Sequence, residues 1–325
     1  MLRTAVVGVG SLGRHHARIH HELPEAELVA IVDADLGRAR EYAEQFSCDA
    51  LSDARELLGR VDAVSVAAPT VDHAEIGSML LETGVGCLIE KPIASSLEEA
   101  DRLIAAARAG NAVLQVGHIE RFNPAVVAAA RVITTPRFIE CHRLAEFTPR
   151  SLDIDVVMDL MIHDIDIILS LVGADVEDVR AAGIGVLTPR IDIANARLEF
   201  TNGCIANVTA SRVSAERVRK LRLFQPRDYV SIDTAAKEVQ RISVLPPQPG
   251  DVRPAISASM LDIDDVEPLK AEIASFLEAV RGEHPPVVSG EDGRRALVVA
   301  VRILDSIAEH AGRVGVHHGA VDGQG

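Results

Sequence analysis

The sequence predicts an α/β domain followed by an α+β domain: a parallel sheet covered on both faces, then a mixed, largely antiparallel, open-faced sheet. Two observations predict this. Apolar strand-like runs alternate with amphipathic helices over the first 120 residues, and strands separated by short turns follow them. At 325 residues the chain exceeds one ordinary core. The expected division is 1–120 for the first domain and 121–325 for the second.

Composition narrows the function. A hydrophobic content of 48% with 25% charged residues is that of a water-soluble globular protein. A net charge of −15 disfavours nucleic acid and anionic membranes as partners, because an acidic surface repels phosphate. Cys48, Cys87, Cys141 and Cys204 have no paired spacing, so reduced thiols are expected and a metal site on them is not. With no signal peptide and no membrane-length apolar run, the expected location is the cytoplasm.

The first strand, RTAVVG (3–8), leads into GVGSLGRHHARIHHEL, which carries Gly8, Gly10 and Gly13 and turns helical. That spacing fits a Rossmann dinucleotide cradle. Gly8 permits the tight turn, Gly10 lets backbone approach a pyrophosphate, and Gly13 brings helix onto strand. Ser11 and Leu12 complete the loop, and the helix N-terminus supplies free N–H groups. The second strand, ELVAIVD, ends in Asp33, twenty residues past Gly13. A carboxylate there accepts ribose hydroxyls and repels a 2′-phosphate, favouring NAD, while Arg38 and Arg40 keep NADP as an alternative. Strands VDAVSVAAP (61–69), CLIEKP (87–92) and AVLQVGH (112–118) alternate with helices RAREYAEQF, HAEIGSMLLETG and SLEEADRLIAAARAG. Ligands lie beyond the carboxyl ends of such strands, where Pro69, Thr70, Glu90, Lys91, Gly117 and His118 fall. Lys91, between a buried strand and Pro92, either extends outward or is held at the ligand edge, where burial eases proton exchange. His16, His73 and His118 read as packing or loop hydrogen bonds rather than as catalysts.

DVVMDLMIHDIDIILSLVG (155–173) is apolar nearly all round, yet steps of four, four, three and four place Asp155, Asp159, His163, Asp166 and Ser170 on one stripe. Gly173 is a C-cap signal. Asp159 and His163 could be a catalytic pair, a fragment of a metal site with no third ligand in view, or a polar face at a domain boundary. Asp155, Asp166 and Ser170 have no assigned chemistry.

Beyond 136, strand-like runs are RFIECHRLAEF (137–147), EDVRAAGIGVL (177–187), DIANARLEF (192–200), CIANVTASRV (204–213), KLRLFQP (220–226) and YVSID (229–233), with TNG (201–203) as a hairpin turn. One sheet face can be covered by the 155–173 helix; the other has no evident cover, so a homo-oligomer is expected. Arg212, Arg217, Arg219, Lys220, Arg222 and Arg227 face one acid, Glu216, within 212–227. This segment is either a diphosphate site or a solvated strand face balanced by carboxylates. LPPQPGDVRP (245–254) reads as a linker and GVHHGAVDGQG (315–325) as a frayed end.

Four stretches in order, GVGSLGRHHA, AAPTVDHAEIGSMLLETGVGCLIEKP, VGHIERFNPA and MDLMIHDID, resemble the Gfo/Idh/MocA family of NAD(P)-dependent sugar oxidoreductases, as does the segment 267–306. RFIECHRL and DIANARLEF through LRLFQPRDYVSID resemble its bacterial UDP-N-acetylglucosamine 3-dehydrogenases, which serve lipid A synthesis through a partner aminotransferase. The resemblance implies that Lys91 is the active-site lysine, often with a cis bond to Pro92, and that Asp159 and His163 form the D-x-x-x-H pair. Val156, Val157 and Met158 stand where the family often has glycines. It adds Arg121, Asn123, His142 and Arg143 to Arg219 and Arg222 as substrate-binding candidates. The expected enzyme oxidises the 3-hydroxyl of a UDP-N-acetylhexosamine, with NAD as cofactor and no metal. His163 is its base, Lys91 stabilises the oxygen and Asp159 orients. The alternatives are an inositol or free-sugar dehydrogenase and a catalytically silent NAD-sensing regulator.

Overall fold

A computed structural model describes residues 1–148, 154–246 and 255–314. In chain order the first elements are β1 (Leu2–Val7), α1 (Gly13–Glu22), β2 (Ala26–Val32), α2 (Leu36–Phe46), β3 (Asp49–Leu51), β4 (Ala63–Val66), α3 (Thr70–Leu81), β5 (Gly86–Glu90), α4 (Leu97–Ala109) and β6 (Leu114–Gly117). Then come α5 (Pro124–Ala130), β7 (Phe138–Leu144), α6 (Ile162–Val172), β8 (Val176–Ile184), β9 (Ile193–Phe200), β10 (Ile205–Ser211), β11 (Val218–Gln225) and β12 (Asp228–Asp233). β13 (Glu238–Val244), β14 (Ile256–Met260), α7 (Pro268–Val280) and α8 (Gly290–Val314) end the described chain. Most of the 245–254 stretch and the whole 315–325 tail lie outside the described residues.

The chain forms two compact units, Met1–Phe122 with Val266–Arg295, and Asn123–Asp265 with Ala296–Gly325. A single cut near 120 is therefore incomplete: residues 266–295 pack with the first unit. The reason is apolar burial. α7 inserts Leu269, Ile273, Phe276 and Leu277 among Ile19, Leu23, Ala63 and Leu88. An ion pair from Arg18 to Glu267 secures its start.

The first unit holds a parallel sheet in the order β3-β2-β1-β4-β5-β6. β4 and β5 are buried throughout, as strands covered on both faces must be. The strand order reverses between β1 and β4, with all strands still parallel, which makes the loops after these two strands the crevice where ligands of such sheets bind.

The second unit is one sheet in the order β14-β13-β12-β11-β7-β10-β9-β8, antiparallel except for β7 with β10. β13 and β14 were not foreseen, because Glu238–Val244 and Ile256–Met260 lack a clean apolar alternation. Gly203, at φ 79°, closes the β9–β10 hairpin as TNG predicts. Alternate residues of β7, Ile139, Cys141 and Arg143, are buried on the face that carries α6, while Phe138, Glu140 and His142 occupy the other. Phe138, Phe224 and Tyr229 form a ring cluster on that second face, with centroids 5.9 and 5.1 Å apart. Phe224 is 38% exposed.

Candidate active site

At the carboxyl end of β1, Gly8 adopts φ +84°, and a Cβ there would lie 2.7 Å from the Ala68 amide nitrogen. The loops after β1 and β4 thus meet backbone to backbone. Gly13 has still less room: its Cβ would lie 1.7 Å from the Gly8 carbonyl oxygen. Gly10 differs, since no protein atom lies within 4 Å of its would-be Cβ. The protein's own packing does not demand glycine at Gly10, whereas a pyrophosphate close to backbone does. α1 has no side-chain N-cap and no acid in its first turn, which leaves its positive dipole end to an anion; Leu12 holds the cap position and Ser11 is exposed. These residues fit a dinucleotide.

Asp33 follows β2. One carboxylate oxygen accepts the Val9 amide at 2.9 Å and the other the Asp35 amide at 2.9 Å. Arg38 lies 3.4 Å from Asp33 and 3.7 Å from Asp35. Its cation, which alone would invite a 2′-phosphate, faces two carboxylates, and this geometry suits NAD. Pro69 caps α3 and Thr70 opens it.

Glu90 ends β5, buried, with Oε1 3.0 Å from His16 Nε2 and Oε2 accepting the Lys91 amide at 3.3 Å. Gly117 makes room for this carboxylate, since a Cβ there would lie 2.8 Å from Glu90 Oε1. Lys91 is half-buried and its bond to Pro92 is cis. Farther back on α1, burial and the neighbouring His16 push His20 down to about 3, so it is a neutral ring bonded to the Ser65 hydroxyl at 2.8 Å.

In the second unit the expected single helix is two pieces. Val157–Met161 is a π-helical turn carrying Asp159, and α6 carries His163. π turns cluster at functional sites, and periodicity gives no sign of one. Both side chains are half-buried. Asp155 accepts the Ile191 amide at 2.9 Å, Ser170 donates to the Ile167 carbonyl at 2.7 Å, and Asp166 is buried. Gly173, at φ 63°, caps α6 as its position predicts. The stripe therefore divides into anchoring residues and the Asp159–His163 pair.

The substrate-binding candidates divide too. Arg143 is buried, and its guanidinium forks onto Asp164 at 2.7 and 2.8 Å, tying β7 to α6. Asn123 caps α5, accepting the Ala125 amide at 3.1 Å and donating to the Thr234 carbonyl at 3.0 Å. Both side chains thus make bonds that hold the second unit together. Asn-Pro at a helix start was a readable N-cap signal. Asp164 was missed because it sits one position off the stripe. Arg121 donates to the Val287 carbonyl at 3.3 Å, within the first unit.

Cross-strand partners break up the basic segment. Arg212 pairs with buried Asp192 at 2.9 Å, Lys220 with Asp233 at 3.8 Å and Arg222 with Glu140 at 3.6 Å. His142 and Arg222 share the face opposite α6, and Arg219 lies on the α6 face beside Arg143 in register. One diphosphate site cannot use both faces.

Residues 2–118 match the oxidoreductase family with NAD-binding Rossmann fold, and residues 97–226 match the GFO/IDH/MocA C-terminal domain. The UDP-N-acetylglucosamine 3-dehydrogenase of Acidithiobacillus ferrooxidans is 39% identical over 93% of this chain and 96% of its own length. The scyllo-inositol 2-dehydrogenase (NAD(+)) of Bacillus subtilis is 28% identical over 94% of each chain. The solved Acidithiobacillus enzyme superposes with a TM-score of 0.87 at 38% identity, covering 95% of this chain and 98% of that one.

Proposed function

The chain belongs to the Gfo/Idh/MocA family of oxidoreductases with an NAD-binding Rossmann fold, and from that membership we propose that it oxidises the 3-hydroxyl of UDP-N-acetylglucosamine or a close UDP-N-acetylhexosamine. NAD, when bound, supplies the hydride acceptor. Gly8, Gly10, Ser11, Leu12 and Gly13 would hold its pyrophosphate and Asp33 its ribose, and Pro69, Thr70, Glu90 and Lys91, in the turns after β4 and β5, would meet its nicotinamide end. His163 takes the hydroxyl proton as hydride leaves the same carbon, and the C–O bond becomes a carbonyl. Lys91 donates a hydrogen bond to that oxygen and stabilises developing negative charge. Asp159 orients the imidazole and favours its protonated form. Arg219, on the face that carries α6, and Arg121 supply cations for the diphosphate.

The observation that carries the substrate is the full-length resemblance to the Acidithiobacillus enzyme. The scyllo-inositol 2-dehydrogenase of Bacillus subtilis is more distant over a similar span. The test is NADH formation with purified protein, NAD, and a panel of UDP-sugars, free sugars and inositols, with hydroxylamine to trap the ketone. Turnover with UDP-N-acetylglucosamine, abolished in His163→Ala with NAD binding kept, supports the reading; turnover with a free polyol alone overturns it.

The ring cluster on the open sheet face supports self-association through that face, and a monomer in sedimentation equilibrium would remove it. All four cysteines are thiols, which fits a reducing cytoplasm; burial pushes Cys48 up to about 11. An aminotransferase that consumes the ketone would draw the oxidation forward.

A further inference from the structure

His73 is 1% exposed on α3, and both its ring nitrogens face backbone carbonyls. Nδ1 lies 3.1 Å from the Pro92 oxygen and Nε2 2.9 Å from the Ala68 oxygen. Pro92 immediately follows Lys91, and Ala68 belongs to the loop whose backbone presses on Gly8. One side chain therefore joins the lysine turn to the wall of the dinucleotide cradle. The near side of the same turn is braced separately: His16, on the helix that opens at the cradle, meets Glu90, whose other oxygen holds the Lys91 amide.

We propose that His73 is a positioning residue that holds both carbonyls with both ring nitrogens protonated, as donation to two acceptor oxygens requires: its bond to the Pro92 carbonyl fixes the Glu90–Pro92 turn and so the direction of Lys91, while its bond to the Ala68 carbonyl fixes the loop that borders the cofactor. The inference rests on the catalytic reading of Lys91. Geometry favours this over mere packing. An apolar side chain would fill the same buried space, but only a ring with nitrogens on both sides reaches both carbonyls. Lysine carries its ammonium on a flexible four-carbon stem, so the backbone beneath it must supply the direction. A displacement of about 1 Å in such a group can cost roughly 100-fold in rate.

Three variants separate the two bonds. An asparagine amide nitrogen stands as many bonds from Cβ as Nδ1 does, and a glutamine amide nitrogen as many as Nε2. His73→Asn therefore keeps the Pro92 contact, His73→Gln keeps the Ala68 contact, and His73→Leu keeps neither. Each is read by hydrogen–deuterium exchange of the Ile89–Ser95 peptide and by kcat and the KM for NAD with UDP-N-acetylglucosamine. The expected result is a split. His73→Gln raises exchange in that peptide and lowers kcat by roughly 10- to 100-fold with KM for NAD near the parent value. His73→Asn keeps exchange and kcat but raises the KM for NAD. Equal exchange and equal kcat in the two amide variants overturns the proposal. His73→Leu should lose on both counts; if it does not fold, the amide pair still decides. Lys91→Ala is run beside them: full turnover in that variant removes the catalytic reading of Lys91, and the exchange split then reports on the turn alone.

Discussion

Two stretches of this chain look like anion sites in sequence, the glycine turn at 8–13 and the basic segment at 212–227, and they fare differently in the fold. The glycine turn is built from backbone. Its amides, its helix end and its lack of side chains are properties of the local chain, and no neighbouring strand can neutralise them. The basic segment is built from long side chains whose partners are chosen by strand pairing. Glu140, Asp192 and Asp233 are up to 82 residues away in sequence from their cations (222 − 140 = 82), and strand pairing brings them within 4 Å. A local excess of charge is thus weak evidence for a site, and a local pattern of backbone geometry is strong evidence.

The largest test of this contrast lies in the buried pairs. Arg143→Leu leaves Asp164 charged and uncompensated in the second unit, and should cost about 3–5 kcal/mol in urea unfolding. A loss confined to substrate KM, with stability intact, would return Arg143 to the binding site. Next is the backbone site. Gly13→Ala places a Cβ against the Gly8 carbonyl and should cost about 1–3 kcal/mol and weaken NAD binding measured by titration calorimetry. Unchanged NAD affinity would break the assignment of the cradle.

Asp192 tests the side-chain site by pH. Burial would raise its carboxyl, but amide bonds from Val186, Leu187 and Thr188 and the Thr188 hydroxyl hold it well below its ordinary value of 3.8. Because the folded value lies below the unfolded one, its contribution is full above about pH 5 and is lost as pH falls through the folded value. Asp192→Asn should flatten that acid limb and cost about 1.5–3 kcal/mol at neutral pH. A parallel acid limb in the variant would show that other carboxylates dominate. The smallest effect is expected at Arg222→Gln, an exposed pair, whose midpoint should shift by less than about 1 kcal/mol. A larger loss would mean that this cation is engaged by more than Glu140.

Much of the first unit was legible. Strands β1, β2, β4, β5 and β6 fall where continuous apolar runs predict them, and Asp33 and Lys91 stand at the carboxyl ends because strand length and turn residues are local signals. In the second unit β7 to β12 were legible and β13 and β14 were not. The π turn at Asp159 was not legible, because a single wider turn inside a helix leaves no mark on the apolar periodicity of the sequence. The internal partners of Arg143 and Asn123, Asp164 and the Thr234 carbonyl, were not legible, because they lie 21 and 111 residues away in sequence.

The sequence by itself determined the alternating fold of the first unit, the dinucleotide cradle, the C-cap at Gly173 and the polar pair Asp159–His163, all of which are written within a few residues of each other. Tertiary structure alone decided that α7 returns to the first unit, that Arg143, Arg212, Lys220 and Arg222 have carboxylate partners, and that His73 spans two carbonyls. Helix turns, caps and tight loops depend on neighbours in the chain, whereas a buried ion pair or a packed helix depends on which distant surface must leave water.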